Sequence, residues 1–229
     1  MIALLAALIM GGSFSHQEPA FMKAGGLEIS RKGYDLIIKH EVGGGVTYYN
    51  RYLKALTYPG GNSGITGGIG YDFGWQSRAQ IARDWGGIVS PSILRRLQAC
   101  SGKKRGAAKA HVKYVRSIKI TWDMAIAVYH KKTIPRFGAL TLKAYPGIDA
   151  ANPDIQGVYL SWTFNRGSGI SSTSSRDKEK RELRTYARTQ EWWKIPDAIR
   201  RSIRLWVGKG LDGLIRRRRD EANLAESSL

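Results

Sequence analysis

The 229-residue sequence predicts an α+β domain that is mostly helical, with a small β-containing part near residues 45–75 and a larger helical part after it. Three observations support this prediction. The stretch at 57–74 is rich in glycine and has the alternation of a short strand. From about Arg78 onward, apolar residues recur at three- and four-residue spacing, as in amphipathic helices. The chain can bury a full hydrophobic core, and no apolar run reaches the ~20 residues of a membrane-spanning helix.

Residues 1–26 are predicted to be an N-terminal extension of a domain that spans residues 27–229. Residues 2–10, IALLAALIM, are apolar and long enough for the central part of a signal peptide. However, no Lys or Arg precedes them, and no clear small-residue cleavage site follows. Two interpretations stay open: a signal or membrane anchor, or a disordered extension that leads into a linker at 14–26.

A helix is predicted to begin after Ile29 and to end at the glycines 43–45. Ser30 is a good N-cap, and Ile29 and Tyr34 flank it as a hydrophobic staple. Glu41 falls in the last turn, on or beside the apolar face. Burial and the negative end of the helix dipole both disfavour a charged carboxylate there and push Glu41 toward its protonated form. The alternative, which helix position alone favours, is a solvent-exposed Glu at the end of the helix.

The glycine-rich stretch, TYPGGNSGITGGIGYDFG, contains seven glycines. Alternation predicts a short strand from Ile65 to Tyr71, with Thr66 and Asp72 on the side opposite to Ile65. Six residues of straight strand would separate Thr66 from Asp72 by roughly 20 Å. Their side chains can meet only if the glycines bend the strand, or if Asp72 curls back in a turn after it. We expect the second arrangement.

Later helices are predicted from the spacing of apolar residues and from the prolines that separate them. The predicted segments lie near 76–85, 91–100, 106–117, 121–131, 155–164, 178–193, 196–207 and 211–225. In the 196–207 segment, Ile199 and Trp206 mark an apolar face, and Arg200 and Arg204 lie on the other side.

The chain carries 37 Lys and Arg against 18 Asp and Glu, and its net charge of +19 implies an anionic partner. The excess is +4 over residues 1–100 and +15 over residues 101–229. Charge alone does not choose between nucleic acid, a membrane surface and an anionic polymer such as a bacterial envelope. The single cysteine, Cys100, excludes an internal disulfide and a Cys-based zinc site. The four histidines lack metal-ligand spacing, so we expect neither a metal nor a cofactor.

Glu41, Thr66 and Asp72 have the chemistry that hydrolysis of a glycosidic bond requires. A carboxylic acid must protonate the leaving oxygen and a second group must activate or position water, and inverting enzymes hold the two groups ~6.5–9.5 Å apart. Glu41 fits the acid. Asp72 fits the carboxylate partner, and the Thr66 hydroxyl can orient a water because it both donates and accepts hydrogen bonds.

Four segments resemble the phage-type lysozymes of glycoside hydrolase family 24. ISRKGYDLIIKHE at 29–41 resembles the family's first core helix, which ends in the catalytic Glu. TGGIGYD at 66–72 resembles its Thr-x-Gly-hydrophobic-Gly-Tyr-Asp strand, and the order Glu, Thr, Asp is that of the pesticin-like muramidases. VYLSWTFNRGSG at 158–169 resembles a Ser-x-x-Phe/Tyr-Asn-Arg-Gly helix. GLIRRRRDEA at 213–222 resembles a terminal helix with the pattern Gly-Leu-x-x-Arg-Arg-x-x-Glu-Ala.

The resemblance implies a two-lobed, lysozyme-like fold and a muramidase, which cleaves the β-1,4 bond between N-acetylmuramic acid and N-acetylglucosamine in peptidoglycan. It implies that Glu41 is the general acid, that Thr66 positions the attacking water, and that Asp72 is the carboxylate partner of an inverting reaction. It also implies that Asn165 and Arg166 support the substrate cleft, the alternative being a helix C-terminus capped by Gly167. Tyr71 and Trp75 are further candidates to line the cleft, although aromatic residues in such a segment more often belong to the core.

The resemblance also implies a partner and a place of action. We expect a monomer made in a bacterial cytoplasm, in a phage-infected host, that acts on peptidoglycan in the periplasm or outside the cell. Its positive charge, on helices behind the catalytic residues, would hold it on the anionic envelope. A phage endolysin, a virion lysozyme, a bacteriocin and a secretion-system effector would share such a domain.

Two other functions stay open. A cationic protein could bind or permeabilise bacterial envelopes through the basic segment 196–219 without any catalysis. A nucleic-acid-binding protein could use the run Arg216–Arg219, although that function leaves the order of Glu41, Thr66 and Asp72 unexplained. We therefore expect no specific nucleic-acid partner.

Overall fold

A computed structural model describes residues 21–43 and 45–229. These residues form an α+β fold that is mostly helical, as the sequence predicts, and their strands form two small hairpins. The apolar segment 2–10, predicted to be a signal or anchor, lies outside the described residues. Within them, no helix combines the length and the apolar character that crossing a membrane requires.

Helices account for most of the described chain. In chain order they are α1 (Arg31–Val42), α2 (Gly45–Tyr48), α3 (Arg78–Trp85), α4 (Pro91–Gln98), α5 (Arg105–His111), α6 (Trp122–Val128), α7 (Ile134–Ala144), α8 (Pro153–Arg166), α9 (Lys178–Thr189), α10 (Ile195–Arg201) and α11 (Asp212–Glu226). Every helical segment predicted from the spacing of apolar residues overlaps one of these helices, with ends that differ by up to six residues.

Helix α7 is the exception, because the sequence did not predict it. Pro135 was expected to separate helices, whereas it lies in the first turn of α7, inside a continuous helical path. A π-helical turn, Tyr129–Thr133, joins α6 directly to α7. Helix α6, this turn and α7 therefore form one continuous helical stretch, and it borders the candidate site.

The first hairpin pairs β1 (Phe21–Ala24) with β2 (Leu27–Ser30) in antiparallel register. Ala24 is fully buried, and the hairpin packs so closely on α7 that an added Cβ on Gly138 would lie 1.7 Å from the Ala24 carbonyl oxygen. The sequence assigned residues 21–26 to the N-terminal extension. The structure moves that boundary, because these residues are part of the packed domain.

Helix α1 begins and ends as predicted. The Gly33 N–H donates to Ser30 Oγ at 2.9 Å, and Gly43 ends the helix at a positive φ of 69°. Helix α1 packs on α8, which also contacts α7, α11 and β2 and is buried throughout 155–163. The α1–α8 contact is closest at a pair of glycines, where an added Cβ on Gly157 would lie 2.7 Å from Gly33 Cα.

Replacing Gly157 by alanine is expected to lower the free energy of unfolding by about 1–3 kcal/mol, because the new methyl group must push two helix backbones apart. Urea denaturation measures this change. Gly106→Ala in α5 is the matched control, since an added Cβ there meets nothing within 4 Å. That control should be neutral or stabilising, and equal effects of the two substitutions would contradict the close α1–α8 contact.

The glycine-rich stretch forms the second hairpin, of β3 (Thr66–Gly67) and β4 (Tyr71–Asp72). Two glycines in its turn have φ of +62° and +66°, a region that glycine adopts without strain. The chain therefore reverses, and Thr66 lies directly opposite Asp72. Of the two arrangements considered from the sequence, the structure has the bend at the glycines, and the expectation that Asp72 would curl back from a turn after the strand is wrong.

Residues after the second hairpin return to it. Gly64 pairs with Lys104, and Ala55 pairs with Lys119, both as isolated bridges. The chain that carries α3, α4 and α5 thus belongs with this hairpin, and the β-containing part of the fold extends to about residue 120 rather than ending near 75. Helical periodicity could not predict this, because it does not encode which earlier segment a helix packs on.

Candidate active site

Glu41 is anchored at the end of α1 by an arginine from α11. Arg217 Nη1 donates to Glu41 Oε1 at 2.7 Å, and the two side chains are 4% and 23% exposed. The other carboxylate oxygen, Oε2, lies on the side of the second hairpin, where an added Cβ on Gly70 would be 3.7 Å away. One oxygen is therefore held by the helices, and the other faces the turn of the hairpin.

Arg217 belongs to a buried polar network that joins α8 to α11. Its Nη2 donates to the Ser161 carbonyl at 2.9 Å, its Nε donates to Glu221 at 3.2 Å, and Ser161 Oγ donates to Glu221 at 2.6 Å. Burial lowers the pKa of Arg217, but Glu221 and Glu41 outweigh this and raise it above its usual value. The sequence considered only burial and the helix dipole at Glu41 and did not predict its contact with this guanidinium.

The run Arg216–Arg219 is not a continuous surface patch. Arg217 is buried, and Arg218 is fully buried with its guanidinium 4.5 Å from the ring centroid of Trp162. Only Arg216 and Arg219 of the run are exposed. Two of the four arginines of the hypothesised nucleic-acid patch are therefore not available to a ligand, because they are buried in the helical part of the fold.

Asp72 and Thr66 have side chains on one face of the second hairpin, as opposite residues of an antiparallel pair do. The N–H and C=O of Thr66 both bond to Thr57, at 2.8 and 2.9 Å. Thr66 and Asp72 therefore form a non-hydrogen-bonded pair. In pairs of this type the Cα atoms are about 4.5 Å apart, and the side chains lie closer together than in hydrogen-bonded pairs. This position would let both side chains contact one water.

The Asp72 carboxylate is also held by backbone amides. It accepts hydrogen bonds from the N–H of Gly64 at 2.8 Å and the N–H of Gly74 at 2.9 Å. The second bond caps a short 3₁₀ helix, Phe73–Trp75. Asp72 thus has the structural role of an N-cap and the fixed orientation that a catalytic carboxylate requires.

Two cavities meet at Glu41. The smaller, which we call the cleft, has a volume of about 250 Å³ and lies between the second hairpin and the start of α7. It is lined by Glu41, Ile69, Gly70, Tyr71, Asp72, Trp75, Gln76, Thr133, Arg136, Phe137 and Phe164. The larger, which we call the helical cavity, has a volume of about 910 Å³ and opens between α1, α8 and α11. Glu41 and Phe164 border both cavities.

The structure brings most of the predicted site residues together. Trp75 lines the cleft with an exposed ring, and Lys104 Nζ lies 3.2 Å from its centroid. Tyr71 borders the cleft but is buried in the core, and its hydroxyl donates to Asp84 at 2.8 Å. Asn165 borders the helical cavity with Glu41. Thr66 is beside Asp72 without being among the residues that line the cleft.

Arg166 is placed elsewhere. Its side chain is 4% exposed, its Cζ lies 5.7 Å and 5.4 Å from the rings of Trp162 and Trp206, and it pairs with Asp177 at 3.5 Å. It lines neither cavity at Glu41. The resemblance suggested Asn165 and Arg166 together, but adjacent helical residues do not share a face. Arg166 therefore belongs to the packing between α8 and the chain after it, not to the cleft.

Sequence reasoning missed two arginines of the site. Arg217 belongs to the Arg-Arg pair of the terminal-helix pattern. The pattern could therefore have indicated Arg217, but the arginines there were interpreted only as surface charge. Arg136, on the first turn of α7, lies 3.5 Å from Asp84 and donates to Gln76 at 3.3 Å, which ties α7 to the hairpin side of the cleft. Nothing pointed to Arg136, because α7 itself was not predicted.

Positive charge is concentrated around the second hairpin rather than behind it. Residues 45–121 contain thirteen Lys and Arg but only two acidic residues, Asp72 and Asp84. By contrast, the arginines around α10 form ion pairs: Arg200 with Glu226, Arg201 with Glu182, and Arg204 with Glu179. The interpretation that the excess charge lies on helices behind the catalytic residues is therefore wrong for the larger share: residues 45–121 carry 13 − 2 = +11, and residues 122–229 carry 20 − 12 = +8.

The site combines an anchored acid with a second carboxylate, and the described residues contain no cluster of His, Cys, Asp and Glu suited to a metal ion. The chain matches no model of a known protein family, and no curated protein matches it. A function must therefore be argued from the geometry of the site.

Proposed function

We propose that the protein is a muramidase that hydrolyses peptidoglycan, with the two-lobed arrangement of the lysozymes it resembles. The observation that carries this proposal is that Glu41 and Asp72, from different elements, border one cleft. The exposed ring of Trp75 in the same cleft offers a flat apolar face on which a sugar ring can stack. The two carboxylates and the aromatic ring are what binding and cleaving a glycan require.

In the proposed reaction, Glu41 donates a proton from Oε2 to the leaving oxygen while Arg217 holds Oε1. Arg217 stabilises the carboxylate that remains after proton transfer. A water held by Asp72 and Thr66 attacks the anomeric carbon from the opposite face, and Asp72 takes its proton. The anomeric configuration is then inverted.

The other candidate functions have less support. The segment 196–219 is not one amphipathic helix, since α10 ends at Arg201 and α11 starts at Asp212. Its apolar residues Ile199 and Trp206 are buried, and several of its arginines are paired with glutamates. A helix that permeabilises a membrane must expose both its apolar face and its cationic face. We therefore favour catalysis over a purely cationic action.

Product analysis tests the proposed function directly. Purified peptidoglycan is digested, its new reducing ends are reduced with borohydride, and the fragments are identified by mass spectrometry. A muramidase produces N-acetylmuramitol ends. Ends derived from N-acetylglucosamine, 1,6-anhydro products, or released peptides without new reducing ends would each contradict the proposal. NMR of the first anomer formed tests inversion separately.

Asp72→Asn is expected to lower the rate of hydrolysis by about 10²–10⁴-fold, because the amide cannot take a proton from water. The amide keeps one acceptor for the backbone but loses the other, so a modest loss of stability should accompany it. The initial rate is measured beside a thermal unfolding curve. Asp212→Asn, at the exposed start of α11, is the control. Full activity per folded molecule in Asp72→Asn would leave Asp72 with only its capping role.

A further inference from the structure

The chain between Asp84 and Asp123 contains nine Lys and Arg and no acidic residue. We call these nine residues the basic surface: Arg95, Arg96, Lys103, Lys104, Arg105, Lys109, Lys113, Arg116 and Lys119. None of them takes part in an ion pair with another described residue. Their charge is therefore available to an anion from outside the chain.

Two adjoining cavities open on the basic surface, with volumes of about 370 and 240 Å³, and Lys103 and His111 line both. The larger, which we call the basic cavity, is also lined by Arg78 and Ser101. His111 Nε2 is buried and has no hydrogen-bond partner. A buried polar atom without a partner costs free energy unless a ligand or water satisfies it. Two cations, Arg78 and Lys103, and an unpaired imidazole nitrogen together suit an anionic ligand.

The basic cavity adjoins the cleft. Ser101, in the basic cavity, donates through Oγ to the carbonyl of Gln76 at 2.8 Å, and Gln76 also lines the cleft. Lys104 Nζ, from the basic surface, lies 3.2 Å from the ring centroid of Trp75, which lines the cleft. Only the short stretch of chain at 74–77 therefore separates the cleft, with its two carboxylates, from the basic cavity.

We propose that the basic cavity binds carboxylates of the peptide stems that peptidoglycan carries on N-acetylmuramic acid, while the glycan lies in the cleft. This inference rests on the proposed function. An extended stem of four residues spans roughly 13 Å, which is long enough to cross the chain at 74–77. The adjacency to the cleft favours a substituent of the bound glycan over a separate anionic polymer, and the stem is the substituent that carries free carboxylates.

The test is a binding measurement with Glu41→Gln protein, in which the proposed acid is removed so that the probe stays intact. The probe is a soluble glycan oligomer with tetrapeptide stems, and calorimetry gives its Kd. Replacing Arg78 and Lys103 together by glutamine is expected to weaken binding about tenfold, as the loss of two charge-assisted contacts implies. The matched control replaces two exposed cations elsewhere, Lys143 and Arg188, by glutamine, and its Kd should stay within about twofold. Thermal unfolding confirms that both variants fold.

Two further probes separate the sources of the anion. The same glycan stripped of its stems by an amidase should bind about as weakly to the parent as the stem-bearing glycan binds to the Arg78/Lys103 variant. Equal Kd values for stripped and stem-bearing glycan would overturn the inference, as would a variant that binds like its control. Polyglycerol phosphate that binds through Arg78 and Lys103 while stems do not would also overturn it.

Failure of this inference and failure of the proposed function give different results. A protein that forms N-acetylmuramitol ends but binds glycan without regard to its stems is a muramidase without the stem site. A protein that binds stems through Arg78 and Lys103 but shows no Glu41-dependent hydrolysis keeps the stem site and loses the assigned reaction.

Discussion

Glu41→Gln is expected to abolish hydrolysis of peptidoglycan, with a loss of at least about 10³-fold in rate, in a protein that stays folded. The amide has no acidic proton to give to the leaving oxygen. Its oxygen can still accept the hydrogen bond that Arg217 donates to Oε1, so the side chain keeps its position. The loss should therefore appear in the rate, measured as new reducing ends, with only a small change in the thermal unfolding midpoint.

Glu28→Gln is the control for this substitution. Glu28 lies on β2 with its side chain 55% exposed, so the same change of charge and shape should leave both rate and stability as they were. A well-folded Glu41→Gln protein that keeps its hydrolytic activity would remove the acid from the mechanism. A loss of activity matched by a loss of folded protein would instead assign Glu41 a role in stability.

Arg217→Met is expected to lower the free energy of unfolding by about 3–5 kcal/mol. The substitution removes the only cation described at Glu41 and one of the two that contact the fully buried Glu221, since Arg218 Nη2 still donates to Glu221 at 2.8 Å. Breaking a buried ion pair is strongly destabilising. Methionine keeps much of the side-chain volume, so the change reports charge and hydrogen bonds more than packing. Urea denaturation with linear extrapolation measures it. Arg217→Lys should be intermediate, because lysine keeps the charge but loses the planar fork.

Arg219→Met, two residues further along the same helix, is the matched control. Arg219 is exposed, so its replacement should change stability by no more than about 0.5 kcal/mol. Equal effects at the two positions would contradict the buried network. A double-mutant cycle between Glu41→Gln and Arg217→Met isolates the contact itself, and a coupling near zero would mean that Arg217 acts only through Glu221 and Ser161.

Predictions that depended on near neighbours in the sequence agreed with the structure. The N-cap at Ser30, the end of α1 at Gly43 and the position of Glu41 in its last turn all follow from interactions within a few residues. The position of Thr66 opposite Asp72 was predictable only in part. Glycine supplied the freedom to bend, but the sequence did not say which glycines would turn the chain.

The sequence by itself determined a mostly helical α+β fold, helix α1, a glycine-rich β segment near residues 65–72 and a net charge of +19. It could not say which cations are neutralised. Arg217 and Arg219 look alike in the sequence, yet one is buried against Glu41 and the other is exposed. That difference depends on how α11 is rotated against α1, a contact between positions 176 residues apart.

The same reason explains the placement of the basic surface. Local spacing along the chain encodes helices and turns, whereas the partner of a charge depends on which distant segments pack together. Residues 101–119 were counted with the C-terminal half of the chain, but Lys104 and Lys119 pair with residues 64 and 55 beside the cleft. The number of charges follows from the sequence, but the position of a site for an anionic ligand follows only from the tertiary structure.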